Sequence, residues 1–306
     1  MTGAAALAAL RNGAAWARQD RDIVVVSGPD AVAYLQGQLS QDVDVPPGTV
    51  GRWSFLLEPQ GKVDAWLRVH RRQSDQYLLD VEPGSAEVVV ARLRRFLLRT
   101  RIDIDVERGW CLCALRGVAP PDRAPHEALV GDAPWPGAEG YDLIAPDGPP
   151  ASLVDELPEV GPDVLEWLRI ASGVPRFGAE LRTGVIPAEA GQWVVDSSVS
   201  FTKGCYTGQE LVARIDSRGG NVPRRLRGLI VEGDGTPPIG AAVVVSGEAV
   251  GEVTSAAATP FGTLALAYVR RAVDPGIGAV YGSVMIGEEP RNAQIRALPL
   301  LPLLVD

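Results

Sequence analysis

The character of the chain changes at Pro223. From there on, LRGLIVEG, AAVVVSGEAVGEVTSAAA, GTLALAYVRR, AVYGSVMIG and AQIRALPL are short, β-rich runs divided by Gly or Pro turns. No helical periodicity of any length remains. Short strands without a helix to cover them bury their apolar faces by closing on one another, as a small barrel or a sandwich. Residues 223–306 are therefore expected to form a separate all-β domain. At 306 residues the chain is too long for one ordinary core, so two or three domains are expected in all.

The preceding residues mix helical and strand patterns. Asp22 to Val26 reads as a strand, and Ser27-Gly28-Pro29-Asp30 as a helix opening with a possible cap, an early Pro and an acid in the first turn. The helix AVAYLQGQLS places Val32, Leu35 and Leu39 on one side. Strands are expected at about 50–57 and 62–71, split by the turn Pro59-Gln60-Gly61, and at Gln76 to Val81. Ser85 opens an amphipathic helix with Val89, Leu93, Phe96 and Leu97 facing a core. Strands at 101–106 and 110–116 follow. In the second, Cys111 and Cys113 share a face and read as small core residues. Residues 118–150 read as a loop-rich region with one or two strands, including Tyr141 to Ile144. A helix is expected over Asp163 to Ser172 and an extended segment over Val194 to Phe201.

Composition narrows the function classes. Apolar residues are 46% and charged residues 22%, as in folded globular proteins. The net charge of −9 disfavours a protein whose whole surface grips nucleic acid. Three cysteines point to a reducing compartment. No apolar run approaches the roughly 20 residues that span a bilayer, and MTGAAALAALRNG lacks a basic region before its apolar run. A cytoplasmic protein without membrane contact is expected. His70 and His126 are far apart and no Cys-x-x-Cys pair exists, so no metal site is expected from this chain alone.

The densest chemistry lies in Lys203-Gly204-Cys205-Tyr206-Thr207-Gly208-Gln209-Glu210. Thr207 to Glu210 has capping-box form ahead of an apolar helix carrying Leu211, Val212 and Ile215. Cys205 then falls two residues before the cap, near the positive helix end and beside Lys203. Both neighbours favour a thiolate. Gly204 and Gly208 imply tight bending or close approach of another segment. With two histidines in the chain, Cys205, Lys203 and Glu210 are the carriers available for any reaction.

KGCYTGQE resembles the signature of the YgfZ family, folate-binding proteins related to the T-protein (aminomethyltransferase) of the glycine cleavage system. VSGPDAVAYLQGQLSQDV, Pro59-Gln60-Gly61-Lys62 and WLRIASGVPRFGAELRTGVIPAEAGQWVVD are similar to further stretches of that superfamily. The resemblance implies an α+β fold of three domains in a ring: two antiparallel α+β domains and a C-terminal β-barrel. These would be 1–117 (a folate-binding domain to which 160–222 contributes), 118–222 (carrying the signature) and 223–306. It further implies a tetrahydrofolate or derivative in a central channel lined by KGCYTGQE, with Cys205 and Lys203 as reactive groups. Tyr206, Gln209, Glu210, Glu189 and Arg214 are then the expected cofactor-binding residues.

Two departures bear on chemistry. The T-protein's paired acids fall on Ala65 and Trp66, and Asp64, one step away on a strand, reverses the face. The superfamily's pterin-binding acid falls on Ala171, leaving Glu189 or Glu210 as candidates to meet the pterin's N–H donors. Three readings follow. One is a YgfZ-like folate-dependent factor supporting iron–sulfur cluster assembly or repair and tRNA modification, with iron–sulfur client enzymes or assembly proteins as partners. The second is a one-carbon transferase, and the third a non-catalytic scaffold or RNA-modification partner, so enzymatic activity stays open. The basic groups Arg68, Arg71 and Arg72; Arg92, Arg94, Arg95, Arg99 and Arg101; and Arg214, Arg218, Arg224, Arg225 and Arg227 read mostly as solvated surface. The last could draw a folate's glutamate tail or RNA, though no aromatic interleaving supports more than weak RNA contact. The seven tryptophans read as core and channel-wall residues.

Overall fold

A computed structural model describes residues 15–121, 128–146, 148–149, 151–259 and 262–301. The N-terminal segment 1–14 and His126 lie outside them. Two antiparallel β-structures, with helices between and around them, account for the architecture.

The first is one seven-stranded sheet. Its strands are β1 (Ala15–Ser27), β2 (Arg52–Leu57), β3 (Val63–Gln73), β4 (Gln76–Val81), β5 (Asp103–Arg116), β6 (Leu129–Asp132) and β7 (Gly140–Pro146), in the order β2-β3-β4-β1-β5-β7-β6. The long β1 and β5 form its spine. The boundary expected at 117 falls inside this sheet, because β5 pairs with β7 from Trp110 to Arg116. The two strands expected at 101–106 and 110–116 are a single strand. Its break is a bulge: Arg108 and Gly109 face the one residue Asp22 of β1, between the pairs Arg21–Trp110 and Ile23–Glu107.

The sheet curls until its ends meet. A Cβ on Gly131 of β6 would lie 3.0 Å from the Cα of Gly51, just before β2. His70 holds that seam, its Nδ1 accepting the Gly51 N–H at 3.1 Å. Burial lowers the His70 pKa, against the opposing pull of Asp80, so the ring stays a neutral acceptor.

Inside the curl runs a chain of alternating charge. Asp80 binds Arg21 and Arg68, and Asp142 binds Arg68 and Arg116, with Arg68 reaching Asp80 and Asp142 at 2.6 Å each. Arg68 is 1% exposed. It and Arg92 are thus buried, contrary to the reading of their clusters as solvated surface. Each has a carboxylate partner that makes burial tolerable.

The helices are α1 (Ala31–Gln38), α2 (Ala86–Arg95), the single turn α3 (Ala151–Val154), α4 (Pro162–Ser172), α5 (Gln192–Ser198) and α6 (Gln209–Ser217). α1 is capped at Asp30, but that carboxylate binds the Arg101 backbone and guanidinium, so neither Ser27 nor Pro29 opens the helix. The extended segment expected at 194–201 is instead α5 up to Ser198. Its buried Val194, Val195 and Ser198 follow a helical i, i+1, i+4 spacing, and Gln192 bonds Asp196 one turn on. Tertiary packing overrides the β preference of the paired valines.

The second structure is a closed barrel of β8 (Arg224–Val231), β9 (Ala242–Val245), β10 (Glu248–Thr259), β11 (Gly262–Arg270), β12 (Ala279–Ile286) and β13 (Glu289–Arg296). Leu229, Val243, Val253, Ala265, Val284 and Ile295 belong to its core.

The buried charge chain sets a pH limit on the fold. Burial pushes the Asp80 carboxyl up, but the charges of Arg21 and Arg68 outweigh it and hold the pKa below the usual range; Arg116 and Arg68 do the same for Asp142. A depressed folded-state pKa contributes stability above the unfolded value of about 3.9, lost as pH falls below it. Urea unfolding at pH 7 and pH 3 should show that loss, and Asp80→Asn should cost about 3–5 kcal/mol at pH 7.

Candidate functional site

The signature loop is fastened at three points. The Lys203 ammonium donates to the carbonyls of Gln36, Leu39 and Gln41 at 2.7, 2.7 and 3.1 Å, closing the C-terminal end of α1. Burial brings its pKa down to about 8, with the Asp42 charge opposing. Tyr206 is buried below it, the Nζ lying 5.3 Å from the ring centre, and burial raises the phenol to about 12. Beyond it, Thr207 N–H donates to Gly37 O.

The third point is a glycine pair. Gly208 has φ +84°, and a Cβ there would lie 2.5 Å from Glu58 O and 3.1 Å from Gly61 Cα. Gly61 in turn would collide with Leu211 Cβ at 2.5 Å. The β2–β3 hairpin thus lies directly on the start of α6. This contact decides the helix cap. Gly208, not Thr207, occupies the N-cap position, no side-chain cap bond forms, and the capping box is not realised.

Between these fastenings Cys205 is exposed, while Cys111 and Cys113 are buried with their sulfurs 3.8 Å apart. Sequence reasoning placed Lys203 as the cation beside the thiol; its three donors instead go to backbone carbonyls. Gln209 opens α6, Glu210 is exposed in its first turn and Arg214 is exposed in its last. Glu189 lies elsewhere, in the 3₁₀ turn Pro187–Ala190, bound by Arg224 at 3.1 Å.

A chamber of about 40 Å³ lies in the curl of the sheet, lined by Trp53, Trp66, Trp135, Arg21, Arg68, Arg116, Arg169 and Glu82 among others. None of Cys205, Lys203, Tyr206, Gln209, Glu210, Glu189 or Arg214 lines it. Trp53 and Trp66 stack at 3.8 Å, Arg68 lies over Trp53 at 5.1 Å, and Arg116 lies over Trp135 at 4.2 Å. Among the described residues, Trp53 Nε1, Trp135 Nε1 and Arg116 Nε and Nη2 have no hydrogen-bond partner. The chamber is therefore rich in unused donors and suits a ligand carrying several acceptors. Asp80 and Asp142 are committed to arginines. Glu82, which gives one oxygen to Arg21, is a carboxylate that faces the chamber.

Sequence reasoning missed the polar part of this chamber. A signal exists: Arg68 and Asp80 are charges set in otherwise apolar stretches of strand, and such residues find partners across the sheet or are not buried.

The glycine pair and Lys203 make separable predictions. Gly208→Ala should destabilise by more than about 1 kcal/mol, because it meets both a strained φ and a backbone oxygen. Lys203→Met should cost about 1–3 kcal/mol by leaving carbonyls unpaired. Thermal unfolding followed by circular dichroism reads both.

No protein-family model matches the chain. Over 90% of its length it is 29% identical to an aminomethyltransferase of Streptomyces avermitilis, covering 83% of that protein. It is 30% identical to the tRNA-modifying protein YgfZ of Serratia proteamaculans, across 66% of this chain and 67% of that one. It is also 30% identical to the mitochondrial iron-sulfur cluster assembly factor IBA57 homolog of Mycosarcoma maydis, across 71% of this chain but only 57% of that relative's length. Among solved structures, the glycine cleavage system aminomethyltransferase T from Bartonella henselae matches with a TM-score of 0.75 at 18% identity, covering 97% of this chain and 88% of that one. That likeness carries the fold: a curled antiparallel sheet with a closed barrel. With its signature loop and these relatives, the chain belongs to the YgfZ family of the GcvT (aminomethyltransferase) superfamily.

Proposed function

We propose that the protein is a folate-dependent factor that supports iron–sulfur cluster assembly or repair, including in enzymes that modify tRNA, and that Cys205 is its working group. The observation that carries this reading is the presentation of that thiol. It is the exposed cysteine of the three, on a loop held at fixed points on either side. A sulfur ligand held in place this way is preorganised to meet a partner without ordering a loop first. The names of the YgfZ and IBA57 relatives point to the same biology. Cys205 offers one sulfur, so a cluster in transit would draw its other ligands from the client protein.

The chamber is our site for the folate. Its free indole and guanidinium donors fit the carbonyl, ring-nitrogen and carboxylate acceptors of such a ligand. Glu82 is the acid for the pterin's N–H donors, in place of the Glu189 and Glu210 considered from sequence. Bound there, a reduced folate would supply an electron-rich ring and a nitrogen that can carry one carbon. A space of about 40 Å³ holds a few waters, so entry requires the Trp53–Trp66 pair to part.

The one-carbon transferase reading has support in the Streptomyces relative. The acid pair it needs is absent at Ala65 and Trp66, and the Asp64 carboxylate is held by Arg92 at 2.7 Å. We therefore place it second.

Two experiments test the proposal. Cys205→Ala should keep the wild-type melting temperature but fail to rescue a cell lacking the factor; full rescue would remove the thiol from the function. Titration with 5-formyltetrahydrofolate should change tryptophan fluorescence and raise the melting temperature, and Trp53→Phe should diminish the optical change. A flat titration on both readouts would leave the chamber without its proposed ligand.

A further inference from the structure

A second cleft lies where α4 ends, α5 begins and β8 passes. It measures about 450 Å³ and shares no lining residue with the chamber. That volume lies within the range of small-molecule sites. Arg225 and Arg227, two apart on β8, both line it, with Ser172 at the end of α4. Trp193 and Leu298 supply apolar wall.

The polar groups of the cleft are incompletely used. Ser172 is 1% exposed, and its hydroxyl has no partner among the described residues. The Nε atoms of Arg225 and Arg227 are also buried and without partners there. The remaining guanidinium contacts are local: Arg225 Nη2 donates to Gly220 O at 3.1 Å, Arg227 Nη1 to Leu226 O at 2.8 Å, and Arg227 Nη2 pairs with Asp274 at 2.7 Å. Two cations and one carboxylate leave the cleft one positive charge in excess. A buried donor without an acceptor is costly, and three residues lining one space each carry one, so the cleft suits a group that accepts several hydrogen bonds at once. A carboxylate or a phosphate does that, and guanidinium groups bind both strongly.

We propose that this cleft binds the oxyanion of a small molecule, a carboxylate or a phosphomonoester, whose planar body rests against Trp193. The indole and Leu298 favour a ring there over a hydrated chain. The inference is independent of the chamber and of Cys205.

Calorimetric titration of the full chain with phenyl phosphate, benzoate and benzyl alcohol tests it. At least one of the two anions should bind at one site, the tighter one identifying the source of the oxyanion, and neutral benzyl alcohol should not bind. Ser172→Ala should weaken binding about tenfold, since a hydrogen bond to a charged group is lost. It should do so without lowering the melting temperature, because the hydroxyl it removes has no partner. Arg225→Gln should weaken binding at least as much. Absence of millimolar binding by both anions would overturn the proposal. So would anion affinity unchanged in Ser172→Ala, or a melting temperature that falls in that variant. If Arg225→Gln does not fold, Ser172→Ala decides alone.

Discussion

Arg68 is the residue on which the shape of the larger sheet turns. It starts on β3 and ends on carboxylates of β4, the adjacent strand, and β7, four places away from β3 in the sheet order. One side chain can span that separation only if the sheet curls. The alternation Arg21–Asp80–Arg68–Asp142–Arg116 therefore acts as a gauge of curvature as well as a set of ion pairs. Apolar residues of like volume could stabilise a sheet equally well. They would not specify which strands face one another across its hollow. Directional, charge-assisted bonds do.

The same chain creates the chamber. Arginines committed along one edge to carboxylates keep further N–H groups, and Arg116 has two of them unpaired beside an indole N–H in the same state. The tryptophans that line the hollow include the Trp53–Trp66 stack. Structural charge and unused donors are thus two sides of one arrangement.

The signature loop follows another logic. Its lysine, tyrosine and second glycine are occupied with holding: to carbonyls at the end of α1, to the core, and to the β2–β3 hairpin. The cysteine is left facing solvent. In the folded chain these residues make a mount on which Cys205 is exposed. Eight consecutive residues drew attention to Cys205 but could not disclose the mount, because the carbonyls that hold Lys203 lie more than 160 residues away in sequence.

Sequence by itself determined the strands whose apolar pattern is regular, the break in character at Pro223 and the cysteine to watch. Local periodicity and side-chain chemistry suffice for those. Only the tertiary structure decided that the strands on either side of residue 117 share one sheet, that Val194 and Val195 sit on a helix, and that Gly208 rather than Thr207 caps α6. It also decided that Arg68 and Arg92 are buried, and that Glu82 rather than Glu189 or Glu210 faces the chamber. Each of these depends on what another segment places opposite: a carboxylate, a backbone oxygen, a strand edge. The cost of burying a charge or bending a backbone is set by that partner, and the partner is known only once the chain has closed on itself.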